Sequence, residues 1–178
     1  MPSAAEATTL DPADPWGTFQ RSAFRLETLP WYRMPQEEGR MELYLSGAAK
    51  PESYNADWHD KLEAWARAGK IVQRVRVVRP PLTDYQRRQF AWAYPGNLAA
   101  GEDTRMLDGA KADELGLPNW DFWFFDDHLV RKQVYTEDGT FVGREVLPDA
   151  DPAEFRRYRE LALSHATVFW TYRRLTGT

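Results

Sequence analysis

Alternation of hydrophobic and polar residues marks the predicted strands of this chain. Residues 24–32 alternate with a period of two, which is the pattern of a half-buried strand. Residues 71–78 (IVQRVRVV) are the clearest strand, because β-branched side chains suit a pleated and packed surface. The last two predicted strands are joined by Glu137-Asp138-Gly139, a turn sequence that indicates a hairpin. The remaining predicted strands are residues 104–107, 121–126, 129–135 and 140–147.

Apolar positions three to four residues apart predict three helices. The first covers residues 57–68 and is expected to end at Gly69. The second opens at Thr83, where Gln86 completes a capping box, and is expected to close at residues 95–96, a Pro-Gly pair.

The third predicted helix opens at the cap Asp151, with Pro152 in its first turn and Glu154 completing another capping box. Its apolar stripe continues without a break to Tyr172. A short segment, residues 41–45, fits either a helical turn or a further strand.

This order of elements predicts an α/β (α+β) fold. We expect one domain, residues 16–178, built on a mixed β-sheet with antiparallel hairpin strands and packed by about three helices. Residues 1–15 are small, acidic and proline-containing, and are expected to form a flexible tail.

Composition narrows the possible functions. The chain of 178 residues has a net charge of −4, which disfavours nucleic acid as a partner. It has no cysteine, so that thiol chemistry and cysteine-based metal sites are excluded. No secretory signal and no membrane span are evident, and a cytoplasmic protein is expected. No cofactor or metal site is predicted.

Phosphate-binding and hydrolase motifs are absent, so no catalytic residue is assigned. Six residues are instead candidates for binding a ligand. Asp121 and Asp126 flank the aromatic strand of residues 121–126, and their spacing places them on opposite faces. They are expected to cap the strand ends and to bond to backbone or arginine. The candidates are Arg76, Tyr85, Glu102, Arg105, Asp121 and Asp126.

A charged network is expected at the start of the strand of residues 104–107. Glu102 and Arg105 are three residues apart and could form an ion pair. Arg76, on the strongest strand, is the expected partner of one of the acids, since a half-buried charge requires compensation.

Four segments resemble an actinobacterial family known only as a domain of unknown function, whose genes often lie beside helix-turn-helix regulators. The resemblance implies a role associated with such a regulator. The segments are AFRLETLPWY (23–32), RVRVVRPPLTDYQR (74–87), NLAAGEDTRML (97–107) and DFWFFDDHLV (121–130).

A weaker resemblance connects the chain with half of a phospholipase D-like domain, whose motif is His-x-Lys-x4-Asp. Asp126 matches the aspartate of this motif, but Asn119 replaces the histidine and Asp121 replaces the lysine. The Gly-Ser-x-Asn sequence that follows in that family is also missing. The resemblance therefore implies the fold, with the phosphodiester chemistry lost.

The leading hypothesis is a non-enzymatic binding or regulatory accessory protein. Its partner would be a protein, such as a helix-turn-helix regulator, or a small molecule. The alternative is a small-molecule enzyme of specialised metabolism that uses Glu102, Asp126 or Tyr85 as acid or base. The ligand, the reaction and the oligomeric state are left open.

Overall fold

The computed structural model describes residues 14–178, which form a seven-stranded mixed sheet in the order β6-β5-β4-β1-β2-β3-β7. The predicted tail lies outside these residues, apart from Asp14 and Pro15, which begin the first helix. The strands are β1 (Ser22–Glu27), β2 (Ile71–Val78), β3 (Glu102–Asp108), β4 (Phe122–Phe125), β5 (Leu129–Tyr135), β6 (Phe141–Val146) and β7 (Thr167–Val168).

Strands β1, β2 and β3 are parallel, whereas β4, β5 and β6 form an antiparallel meander beside β1. The short β7 pairs antiparallel with the outer side of β3. The predicted mixed sheet with antiparallel hairpin strands is confirmed.

Helices cover both faces of the sheet. Three long helical segments agree in number with the prediction, and short helices join them. Pro35–Glu37 is a single 3-10 turn, and Gln89–Ala93 is a π-helical turn. The α-helices are α1 (Pro15–Thr18), α2 (Arg40–Leu45), α3 (Ala56–Arg67), α4 (Asp84–Arg88), α5 (Tyr94–Ala99), α6 (Gly109–Glu114), α7 (Pro152–His165) and α8 (Phe169–Thr176). None of the helices in residues 14–178 combines the length and apolar character required to cross a bilayer.

The helix that opens at Thr83 has the predicted capping box with Gln86, but it does not close at Pro95. It continues through the π-helical turn, in which the Tyr94 N–H donates to the carbonyl of Gln89, five residues earlier. Pro95 lies in the first turn of α5, where its missing N–H is tolerated.

The predicted continuous last helix is wrong. Ala166 is extended, and β-branched Thr167 and Val168 pair with β3 before α8 begins. The cap at Asp151 is confirmed, since its side chain accepts from the N–H of Ala153. Glu154 does not complete a capping box; its carboxylate accepts from the Tyr158 hydroxyl.

Both faces of the central strands are buried. One face is apolar and packs on α6 and α7, with a core that includes Phe24, Leu26 and Phe122. The opposite face has an apolar cluster at each end and charged residues between the two clusters. β1 is therefore not half-buried as predicted, and it ends at Glu27 rather than at residue 32. The N–H of the next residue, Thr28, donates to the side chain of Asp121.

Candidate functional site

A layer of six charged side chains lies in the middle of the second face. Arg25 pairs in register with Arg74, and Glu27 with Arg76, so that all four project from the same side of the sheet. Their side chains, with those of the other two, are at most 11% exposed. We call the six the charged layer: Arg25, Glu27, Arg74, Arg76, Glu102 and Asp121.

Arg74 joins two carboxylates of this layer. Its Nη1 donates to Glu27 Oε1 at 2.5 Å, and its Nε donates to Glu102 Oε1 at 2.7 Å. Glu102 also accepts from Trp58 Nε1 and Thr104 Oγ1. The arginine that bonds to Glu102 is thus Arg74 and not Arg76, because parallel pairing aligns Glu102 with Val72, two residues before Arg74.

Glu102 and Arg105 do not form the predicted ion pair. Residues three apart in a strand point to opposite faces, whereas residues two apart share a face. Arg105 accordingly pairs with Asp103, at 2.8 Å between Nη2 and Oδ2, on the opposite side of the sheet from the charged layer.

Asp121 completes the layer from the start of β4. It accepts hydrogen bonds from Arg25 Nη2 at 2.7 Å, from Tyr32 Oη at 2.6 Å, and from both the N–H and the hydroxyl of Thr28 at 2.8 Å. Tyr32 in turn accepts from Arg76 Nη1 at 3.1 Å, which connects the buried Arg76 to Asp121.

Asp126 caps the other end of the aromatic strand. Its carboxylate accepts from the backbone N–H groups of Gln20, Arg21 and Ser22, at 2.7, 2.6 and 3.0 Å. Burial opposes ionisation, but these three donors hold the pKa of Asp126 below its usual range. Both aspartates thus bond to backbone or arginine, as their positions in the sequence predict.

A cavity of about 600 Å³ lies over the charged layer. Its floor includes Arg25, Glu27 and Arg74, and residues from the segment 34–57 form part of its lining. Aromatic side chains supply the rest of the apolar lining: Trp16, Trp58, Trp123, Tyr32, Tyr85, Tyr94 and Tyr135.

The cavity brings together only some of the residues selected from the sequence. Tyr85 lines it and donates to Glu37 Oε2 at 2.8 Å. Three others lie behind the lining, each hydrogen-bonded to a residue that does line it. These three are Arg76, Glu102 and Asp121. Arg105 and Asp126 are not part of the cavity lining.

Sequence reasoning missed Arg25, Glu27 and Arg74, which alternate with apolar residues in β1 and β2. The sequence contained a signal for them, because charged residues alternate with apolar ones within β1 and β2, which are neighbouring parallel strands in the middle of the sheet. Gln89 and Gln133, which also line the cavity, carry no comparable signal.

Glu27 and Tyr94 each keep one protonation state at neutral pH. Burial disfavours the Glu27 carboxylate, but Arg74, Arg76 and Arg25 outweigh this effect and lower its pKa to about 2. Burial, together with the charge of Glu27, raises the pKa of Tyr94 well above its usual value. These two residues therefore contribute a fixed negative charge and a neutral hydroxyl group to the site.

Three buried polar atoms of lining residues have no hydrogen-bond partner among residues 14–178: Arg25 Nε, Gln133 Nε2 and Gln89 Oε1. Glu27 Oε1 lies 3.8 Å from Arg25 Nε, which is too far for a hydrogen bond. The three residues are only 5%, 5% and 7% exposed. An unsatisfied buried polar group costs roughly 1–3 kcal/mol, which a bound molecule can recover.

A second cavity of about 630 Å³ lies beside α8 and is lined mainly by apolar side chains, including Pro80, Leu82, Phe90 and Tyr172. No polar atom of its lining is both buried and unpartnered in the described part of the chain. Within residues 14–178 no three histidine, aspartate or glutamate side chains are placed to hold a metal ion. The charged cavity is therefore the stronger candidate site.

Comparison with solved structures identifies the fold. The crystal structure of Nuc from Salmonella typhimurium, a phospholipase D family member, matches with a TM-score of 0.50 and 10% sequence identity. The match covers 86% of this chain and 84% of that one. At this identity the likeness shows a phospholipase D-like fold and nothing about activity.

Comparison with sequences leads to a family. No curated protein matches the chain. The family model described as a domain of unknown function, DUF6879, matches residues 11–174. Because this match spans nearly the whole chain, including the charged layer and the cavity, the protein belongs to the DUF6879 family.

Proposed function

We propose that this protein is a non-catalytic binding protein, which holds a small molecule in the charged cavity and acts as a regulatory accessory to a protein partner. The observation that carries the proposal is the set of three buried polar atoms that line the cavity over the charged layer and have no partner within residues 14–178. A ligand that bonds to these atoms would recover their desolvation cost.

The protonation states favour binding over acid–base catalysis. A general acid or base works best with a pKa near the pH at which it acts. The pKa of Glu27 is about 2, and those of Tyr32, Tyr85 and Tyr94 lie well above 10. These groups can orient a ligand and donate hydrogen bonds, but they do not exchange protons readily near neutral pH.

The enzyme alternative has weaker support. Of the residues it would use, Tyr85 lines the cavity, Glu102 is held behind it by Arg74, and Asp126 bonds to the backbone before β1. Asp121, which replaces the motif lysine in the resemblance to phospholipase D-like domains, accepts hydrogen bonds from Arg25, Tyr32 and Thr28. An aspartate there repels rather than attracts a phosphate group.

A helix-turn-helix regulator is the proposed protein partner, on the basis of the resemblance in sequence. Exposed aromatic side chains offer contact area for a partner: Trp31 is 43% exposed and Trp170 is 53% exposed. Affinity capture of the tagged full chain from its native host tests this part, and recovery of a regulator in stoichiometric amount is the expected result.

The binding function is tested by native mass spectrometry of the full chain purified from its native host. We expect a small molecule bound with 1:1 stoichiometry. Gln133→Leu should lose it, because this change removes an unpartnered lining donor without breaking an ion pair.

Gln73→Leu is the matched control, since Gln73 alternates with the layer residues on β2 and bonds to Asp103 on the opposite face. This variant should retain the molecule. Absence of any bound molecule in the wild-type protein, or equal retention by both variants, would contradict the proposal.

A further inference from the structure

We infer that the cavity binds an electrically neutral, polar ring compound with at least two hydrogen-bond acceptors and one donor. This inference rests on the proposed binding function and specifies the class of ligand. Neutral sugars and nucleosides both have this chemistry.

The charge balance of the site favours a neutral molecule. The charged layer contains three arginines and three carboxylates, so its formal charges cancel. Asp121 bonds to Arg25, and Glu27 and Glu102 both bond to Arg74. The third arginine, Arg76, is fully buried behind the lining and donates to Tyr32. A net charge brought onto this layer would leave the buried site with an excess charge, and desolvation would then oppose binding. A neutral molecule leaves the pairing intact.

Charges outside the layer do not alter this balance on the cavity floor. Buried Arg88 pairs with Glu37 at 3.0 Å, and buried Arg131 has Asp14 within 3.9 Å. Arg40, which lines the cavity and is partly exposed to solvent, lies 4.0 Å from Glu37 and donates to Asn55. Arg144 and Asp57, which also line the cavity, have opposite charges and are exposed to solvent, which screens them.

The unpartnered atoms specify the hydrogen bonds of the ligand. Arg25 Nε and Gln133 Nε2 are donors on the sheet, from β1 and β5, on either side of Asp121. Gln89 Oε1 is an acceptor from the π-helical turn of the helical layer. A molecule that satisfies all three must present acceptors toward the sheet and a donor toward the helices.

Aromatic rings on two sides of the cavity favour a ring-shaped ligand. On one side, the ring centroids of Trp16 and Trp123 are 4.5 Å apart. On the other, Tyr32 lies 5.0 Å from Tyr135 and 5.7 Å from Tyr85. Apolar ring faces with a few placed polar groups are the usual lining of sites for small polar molecules.

The inference is tested by isothermal titration calorimetry of the full chain with paired compounds. One arm uses neutral hexoses and pentoses, and the other uses nucleosides, each beside its own monophosphate. We expect a neutral compound from one arm to bind, its monophosphate to bind at least about tenfold more weakly because of the uncompensated charge, and Gln133→Leu to weaken binding about tenfold.

The other outcomes separate this inference from the proposed function. Tighter binding of a monophosphate, abolished by Gln133→Leu, would overturn the neutral class but leave the binding function standing. If no compound binds, the charge of the molecule that co-purifies from the native host decides the class: a neutral molecule supports it and a charged one overturns it. If nothing binds and nothing co-purifies, both proposals fail.

Discussion

The two faces of the central sheet are built from alternate residues of the same strands, yet they are stabilised differently. On one face Phe24, Leu26 and Val75 pack against α7 as an ordinary apolar core. On the other, their neighbours Arg25 and Arg74 are almost as deeply buried, but they rely on carboxylate partners placed within hydrogen-bond distance. The first face depends on the amount of apolar surface removed from water, whereas the second depends on geometry.

This difference bears on function. Replacing a buried ion pair by well-packed apolar residues is often neutral or even stabilising. A layer of paired charges is therefore a poor device for stability alone, and its position beneath a cavity with unpartnered polar atoms favours a role in binding. The apolar face needs no explanation beyond packing.

The largest expected effects on stability come from one destabilising substitution on each face of the sheet. Phe122→Ala should lower the free energy of unfolding by about 3–5 kcal/mol through the cavity it leaves. Arg74→Met should cost a similar amount, about 3–5 kcal/mol, because Glu27 and Glu102 lose their shared partner. Urea denaturation of the full chain measures both changes.

A second change separates the two mechanisms. Adding Glu102→Gln to Arg74→Met should recover part of the lost stability, since it removes the charge of one of the two carboxylates that lost Arg74. No charge change should rescue Phe122→Ala. If Arg74→Met alone leaves stability unchanged, the interpretation of the charged layer is wrong.

The pH dependence of stability should give a somewhat smaller effect, and it should be seen for the charged face but not for the apolar face. The pKa of Glu27 is lowered from an ordinary value of 4.5 to about 2, so its ionised form stabilises the folded state. This contribution, about 3 kcal/mol, is complete above pH 4.5 and is lost as the pH falls toward 2.

Unfolding of the wild type, Glu27→Gln and Phe122→Ala should be compared at pH 6 and pH 3. The difference in stability between wild type and Glu27→Gln should shrink at the lower pH. The difference for Phe122→Ala should stay the same. A constant difference for Glu27→Gln would show that the carboxylate titrates equally in the folded and unfolded states.

The smallest effect is expected at Asp126, which belongs to neither face. Asp126→Asn keeps a side chain that tolerates the positive φ of 49° and retains one acceptor oxygen, but loses the other. The expected loss is about 0.5–1.5 kcal/mol of unfolding free energy, measured by urea denaturation. Ligand binding should be unchanged, and a weakened affinity would contradict the location of the site.

Local sequence patterns were sufficient to predict much of the fold. The bounds of β2 are those that its β-branched residues predict, and the capping box at Thr83 is confirmed. The predicted end of the second helix at Pro95 was wrong, because the sequence contains no sign of the π-helical turn through which the helix continues past Pro95. The interruption of the last helix before Phe169 was not predicted, because the spacing of apolar residues is the same for one continuous helix as for two consecutive helices.

The candidate site was predicted only in part. Asp121 and Asp126 cap the strand ends as predicted, but their backbone donors lie on or beside the neighbouring strand β1, far away in the sequence. The sequence therefore predicted the kind of bond but not the donors. The pairing of Arg74 with Glu102 depends on the register of strands that are separated by a helical connection, and spacing along the chain does not encode that register.

The sequence by itself determined the strands other than β7, the main helical segments, the mixed α/β class and the residues that carry charge. Only the tertiary structure decided that the polar side of β1 and β2 is covered by a helical layer rather than by water. An alternating pattern looks the same in both cases, since it records which side chains share a face and not what lies above that face. That covering turned ordinary alternating charges into a buried, paired layer beneath a cavity.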